Sequence, residues 1–230
     1  MQENHHQSVP KEFDNGVTIV LIPHNNPDRF KTRIERDILP TIVAHPTWKF
    51  QIVIIDNSDK DKRPSYNILS EYDLQYICMW SGTNIMYGPG INLAVELSEY
   101  PYLVYVCSNH GHMYDPTWID DLIYPITKDS KVAMTGSFYP SCNPIDLGFP
   151  THLPHIHIQG GLFGARVEAL RDHPYSNDPR WVHWSSDIYQ CYQLLNAGLQ
   201  LYNVPTVRSV WRQSVSSPET WKFVHDCSEQ

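Results

Sequence analysis

Residues 17–38 read VTIVLIPHNNPDRFKTRIERDI, and this stretch decides the fold. Its first six residues are apolar or β-branched without alternation, the pattern of a strand buried on both faces of a parallel sheet. Asn26-Pro27-Asp28 then supplies a capping residue, a proline at the first helical position and an acid in the first turn. Phe30, Ile34 and Ile38 follow at every fourth position and form one apolar stripe, with Pro40 expected to break or kink the helix.

The same alternation extends outward. Further apolar runs occur at Gln51–Ile55, Leu74–Met79, Tyr102–Cys107 and Lys131–Thr135. Helical spacing follows Pro89 (Ile91, Ala94, Val95, Leu97) and Pro116 (Trp118, Ile119, Leu122, Ile123). Strand and helix in turn imply right-handed crossovers and an α/β fold with a mainly parallel sheet flanked by helices. Residues 136–153, rich in Pro, Ser, Asn and Gly, read as an irregular connection. A strand is expected at His155–Ile158, after which GGLFGARVEALRDH turns into a helix. The last helix follows Ser185-Ser186 and stops at Gly198.

At 230 residues, 41% hydrophobic and 18% charged, the chain has the material for one large core. Its net charge of −8 argues against nucleic acid or an anionic membrane as partner. No stretch approaches the ~18 apolar residues of a membrane span. The polar opening, residues 1–16, reads as a flexible arm without a secretory signal. Five scattered cysteines in no CxxC or finger spacing suggest neither a disulfide framework nor a zinc knuckle, which makes a reducing cytoplasmic setting the expectation.

In an open parallel sheet, ligands bind beyond the carboxyl ends of the strands. Here those ends carry Pro23-His24-Asn25-Asn26, Asp56-Asn57-Ser58-Asp59, Trp80-Ser81-Gly82-Thr83 and Ser108-Asn109-His110-Gly111-His112. Each is ordinary turn chemistry alone; four on one edge point to a cleft. Neither GxGxxG after the first strand nor GxxxxGK[ST] is present, so the phosphate chemistry is of another kind.

IVLIPHNNPDRF, IVIIDNSDKD, YGPGINLAVELSEYPYLVYV, HIQGGLFGARVEAL and WSSDIYQCYQLLNAGLQLYNVP, in this order, resemble the GT-A glycosyltransferases, specifically the family-2 group that uses nucleotide-diphosphate sugars. The resemblance runs from about Val17 to Trp211. It implies a single GT-A (Rossmann-like) domain over 17–213, with a nucleotide-binding half at 17–135, an acceptor half at 136–213 and a tail at 214–230. Carried over, Pro23, His24, Asn25, Asp56 and Asn57 cradle base and ribose, while Gly88, Asn92 and Asn109 face the nucleotide. Gln159, Gly160, Gly161 and Trp184 bind a saccharide or glycan acceptor, and Asp187 is the general base of an inverting transfer.

One departure stands out. Where the family has Asp-x-Asp, this chain has Cys107-Ser108-Asn109-His110-Gly111-His112. The implied divalent cation then falls to His110 and His112, and imidazole suits Mn²⁺ better than Mg²⁺. Metal-independent transfer assisted by Arg208 or Arg212 is one alternative. A non-catalytic nucleotide- or glycan-binding module of the same fold is another.

Overall fold

The computed structural model describes residues 16–107, 111–113, 115–182 and 185–204. Asn109, His110, Trp184, Arg208, Arg212, most of the expected arm and all of the expected tail lie outside the described residues.

The unbroken apolar runs form the middle of a seven-stranded sheet. β1 (Val17–Leu21) and β4 (Tyr102–Val106) are buried at every position. They pair in parallel, with Val17 opposite Tyr102. β2 (Phe50–Asp56) and β3 (Tyr76–Trp80) extend the sheet on the other side of β1, again in parallel. β6 (Ile156–Arg166) joins β4 antiparallel, β5 (Val132–Pro140) pairs antiparallel with β6, and β7 (Gln200–Asn203) closes that edge parallel to β5. The order is β3-β2-β1-β4-β6-β5-β7.

Side-chain alternation divides the core in two. Val17, Ile19 and Leu21 face one layer with Phe30, Ile34, Trp118 and Leu122. Val20, Val53 and Ile55 face the other, with Ile91, Val95, Phe163 and Leu194. The helices are α1 (Pro27–Arg33), α2 (Leu39–Ala44), α3 (Asn67–Glu71), α4 (Tyr87–Leu97), α5 (Trp118–Lys128), α6 (Val167–Asp172) and α7 (Ser186–Asn196).

Three local expectations are revised. Pro40 does not break the first helix: a π-helical turn at Ile34–Ile38 joins α1 to α2, and Pro40 falls in the opening turn of α2. The wider ladder of that turn accommodates the residue without an N–H. β5 runs to Pro140, into the segment expected to be irregular, because Phe138–Pro140 pair with Ile156–Ile158. The strand expected at His155–Ile158 continues through GGLFGAR to Arg166 as β6, and the expected helix follows it as α6 at Val167–Asp172. The glycines of β6 answer tertiary contacts, for a Cβ on Gly164 would lie 2.7 Å from the Thr135 hydroxyl and 3.0 Å from the Leu122 carbonyl.

Among the described residues, no helix is long and apolar enough to cross a membrane. Among the described residues, Cys78 and Cys191 are free thiols.

Candidate active site

The parallel strands β3, β2, β1 and β4 all end on one edge, and the loops beyond them interlock. The Asn57 amide donates to the Pro23 carbonyl at 3.0 Å, and the Asn25 amide to Ser58 Oγ at 3.0 Å. Asn25 takes a left-handed φ of 52°, which asparagine tolerates better than most residues. Its side chain exchanges two bonds with Asp59, of 3.0 and 2.9 Å. His24 projects, exposed, beside it, with Nε2 3.3 Å from Asn25 Nδ2, whereas Pro23 is buried. The Asn57 side chain donates to the Met86 carbonyl and accepts from Ser81, both at 3.3 Å. Met86 itself sits at φ 73°, ψ 179°, a region that costs a non-glycine residue about 1–3 kcal/mol and concentrates at functional sites. His24, Asn25 and Ser81 thus come together at one rim, with Asn57 buried beneath it and both ends of its amide engaged.

Asp56, the last residue of β2, differs from its expectation. Its carboxylate has no exposed surface. One oxygen accepts from Arg63 Nε at 2.7 Å and the other from the Ser58 amide at 2.9 Å. Burial alone would raise its pKa, but the Tyr66 hydroxyl, Arg63 and Ser58 outweigh that and lower it, so the group is ionised at neutral pH. It holds neighbouring donors rather than facing the open cleft.

Gly88 and Asn92 are also turned away from the rim expected for them. A Cβ on Gly88 would meet Tyr175 at 3.2 Å. Asn92 exchanges bonds of 2.9 and 2.8 Å with the Tyr175 backbone, which occupies both ends of its amide. They tie α4 to the segment preceding α7.

The second half of the cleft centres on Asp187. α7 begins at Ser186, after Ser185 at φ 62°, which reverses the chain so that the helix starts against β6. Asp187 Oδ2 accepts from the Gly160 amide at 3.0 Å and Oδ1 from the Ile188 amide at 2.9 Å. Each oxygen keeps a further acceptor direction. Gly160 allows a close approach here, because a Cβ would lie 3.0 Å from the Tyr87 ring and 3.4 Å from Asp187 Oδ2. Tyr87 and Tyr175 back the site, their hydroxyls 3.3 Å apart. Burial raises both tyrosine pKa values well above the ordinary range and keeps them neutral. His157, buried on the same strand, has its pKa lowered by burial, an effect that the Asp187 charge opposes. Gln159, Gly160 and Gly161 lie half-buried beside Asp187, and the Gly161 carbonyl accepts from the Cys107 amide at 2.8 Å. The end of β4 is thereby joined directly to the acceptor-side strand.

The segment following β4 is held from below by a pair that sequence reading missed. Arg33 and Asp37, 3% and 1% exposed, form a buried ion pair across the π-turn. Arg33 also donates to the carbonyls of Gly111 and Cys107, each at 3.2 Å. Asp37 accepts from the Met113 amide at 3.0 Å and contacts His112 Nδ1 at 2.6 Å. His112, expected as a metal ligand, is thus bound to Asp37. Among the described residues, no three His, Cys, Asp or Glu side chains are placed to hold a metal ion. His110, the other expected ligand, lies outside the described residues, and no reaction step below is routed through a cation. The missed signal was the pair's i,i+4 spacing, with Arg33 and Asp37 each flanking an isoleucine of an otherwise apolar stripe.

Solved structures with the same architecture are similar to this chain. A mannosyltransferase from Pyrobaculum calidifontis, in complex with GDP-Man and Mn²⁺, superposes with a TM-score of 0.65 at 14% identity, over 87% of this chain and 58% of its own. Glucosyl-3-phosphoglycerate synthase from Mycobacterium tuberculosis, with Mn²⁺, UDP and glucosyl-3-phosphoglycerate, gives 0.60 at 14% identity over 96% and 78%. The chain has the GT-A fold. GalNAc-T7 with UDP, GalNAc and Mn²⁺ gives 0.59 at 16% identity over 94% of this chain and 48% of its own. Against the mannosyltransferase and GalNAc-T7, this GT-A chain spans only about half of the neighbour's length. No protein-family model matches the sequence, and no curated protein does.

Proposed function

We propose that this GT-A chain is a glycosyltransferase that moves a sugar from a nucleotide-diphosphate donor to a hydroxyl of a saccharide or glycan acceptor, with inversion. The observation that carries the reading is the placement of Asp187. Its carboxylate is bonded to the backbone of the acceptor-side strand at Gly160, and Gly161 on that strand is bonded to the end of β4. A helix-borne base therefore stands on the same edge as the strand-end loops that would receive a nucleotide. The GDP-Man and UDP bound to the structural neighbours support a nucleotide-linked donor.

In the proposed step, the acceptor O–H bond breaks and its proton passes to Asp187. The oxygen forms a bond to the anomeric carbon, and the bond from that carbon to the diphosphate breaks with its electron pair on the leaving diphosphate. A base must lie about 2.6–3.2 Å from the hydroxyl it deprotonates, and the unused acceptor directions on Asp187 allow this. His24 and Asn25 would hold the nucleoside, Asn57 and Asp56 would act through the groups they bind, and Gln159, Gly160 and Gly161 would receive the acceptor. When bound, a divalent cation would neutralise diphosphate charge; the neighbours, with Mn²⁺ or Mg²⁺ bound, support a divalent cation.

A panel of nucleoside diphosphates, each with and without Mn²⁺, tests the reading by thermal denaturation. A ligand at 100 times its Kd stabilises the native state by about 2.7 kcal/mol. At least one nucleotide is expected to raise Tm by several degrees. No shift with any of them would remove the donor site. Binding without sugar transfer to any acceptor would instead favour the non-catalytic module.

A further inference from the structure

The rim beyond β2 and β3 contains a built cluster that the family resemblance does not assign. A short 3₁₀ turn at Lys60–Lys62 returns the chain so that Arg63 reaches back to Asp56. The β2–β3 register sets Trp80 directly beside Asp56 on the neighbouring strand. The Arg63 guanidinium carbon lies 4.6 Å from the Trp80 ring centroid, and the indole is itself fixed by a 3.0 Å bond from Nε1 to the Ser58 carbonyl. The guanidinium is therefore held by a carboxylate at its Nε and by an aromatic face beneath it. A third of the Arg63 side chain, and 37% of Trp80, remains exposed at the strand ends.

On the proposed glycosyltransferase reading, on which this inference rests, we infer that Arg63 is the residue that contacts the nucleobase and that Asp56 is the positioning residue that aims it. An arginine has five N–H donors and no acceptor. With the Nε donor on Asp56, four remain on the terminal nitrogens. They suit a base edge that presents carbonyl oxygen, as guanine does with O6 and N7 and uracil with its two carbonyls. Adenine places an amino group where guanine has O6, so donor would meet donor. The specificity is for a keto base over adenine.

Calorimetric titration of the wild-type protein with GDP, UDP, IDP and ADP tests this. IDP retains O6 and N7, and differs from ADP at the six-position where Arg63 would act. GDP, UDP and IDP are expected to bind about ten-fold or more tightly than ADP, the discrimination typical of one well-aligned arginine–base contact. Arg63→Met removes every donor while keeping an apolar stem over the Trp80 ring, so it is expected to close most of that gap. Equal binding of IDP and ADP to the wild type would overturn the inference, and so would an undiminished gap in a folded Arg63→Met protein. Failure of every nucleotide to bind would overturn the donor site as well.

Discussion

Asp187→Asn is expected to lower sugar transfer by about 10²–10⁴-fold, the usual contribution of a positioned general base, while nucleoside-diphosphate affinity stays within about two-fold. The amide cannot take the acceptor's proton, but its shape preserves the packing against Tyr87 and Tyr175. Its oxygen can replace one of the two acceptors now used by Gly160 and Ile188. Its NH₂ meets the other N–H, and losing one such bond in a part-buried site costs about 1–3 kcal/mol, which thermal denaturation would register separately from catalysis. Single-turnover transfer and calorimetry on the same preparation separate the two effects. Turnover near the wild-type rate would remove Asp187 from the mechanism.

The second large effect is structural. Asp37→Ala is expected to destabilise the protein by about 3–5 kcal/mol in urea denaturation, because it leaves the Arg33 guanidinium charged and buried without its partner. Burial is the largest influence on Arg33 and lowers its pKa, while the Asp37 charge opposes that shift. The same substitution releases His112 and the Met113 amide, so the segment after β4 loses its anchor along with the core. An Arg33→Met, Asp37→Leu double variant is expected to lose less than either single variant, since no lone charge is then buried. A single-variant loss below 1 kcal/mol would contradict this account of the pair.

The parts of the fold that were legible in sequence are those where local pattern and tertiary environment agree. VTIVLI and YLVYV read as doubly buried strands because both faces of β1 and β4 are covered by helices. Asn26-Pro27-Asp28 read as a helix start, and the Asn26 side chain does accept from the Arg29 amide at 3.1 Å. GGLFGAR was not legible as a strand, because glycine is a poor strand former and the reasons for Gly160 and Gly164 are distant contacts with Tyr87 and Leu122. Pro40 misled for the converse reason: the π-turn that absorbs it has no local sequence signature.

The candidate site divides in the same way. The positions of Asn25, Asn57 and Asp187 at strand and helix ends were readable. The direction of a side chain was not. Asp56 bonds to Arg63, Asn92 to the Tyr175 backbone, and His112 to Asp37, each a partner more than five residues away that local sequence does not reveal. Arg33, Arg63, Tyr87 and Tyr175 went unnoticed since nothing in their neighbourhoods marks them apart from ordinary surface or core residues.

The most direct test of the central claim is a crystal structure of the protein with an intact donor, soaked separately with UDP-glucose and GDP-mannose. The account predicts the nucleoside between Asn25 and Arg63, with the sugar's anomeric carbon directed at the space beside Asp187 and Gly160. A donor seated elsewhere, or a sugar on the far side of the sheet edge from Asp187, would contradict it.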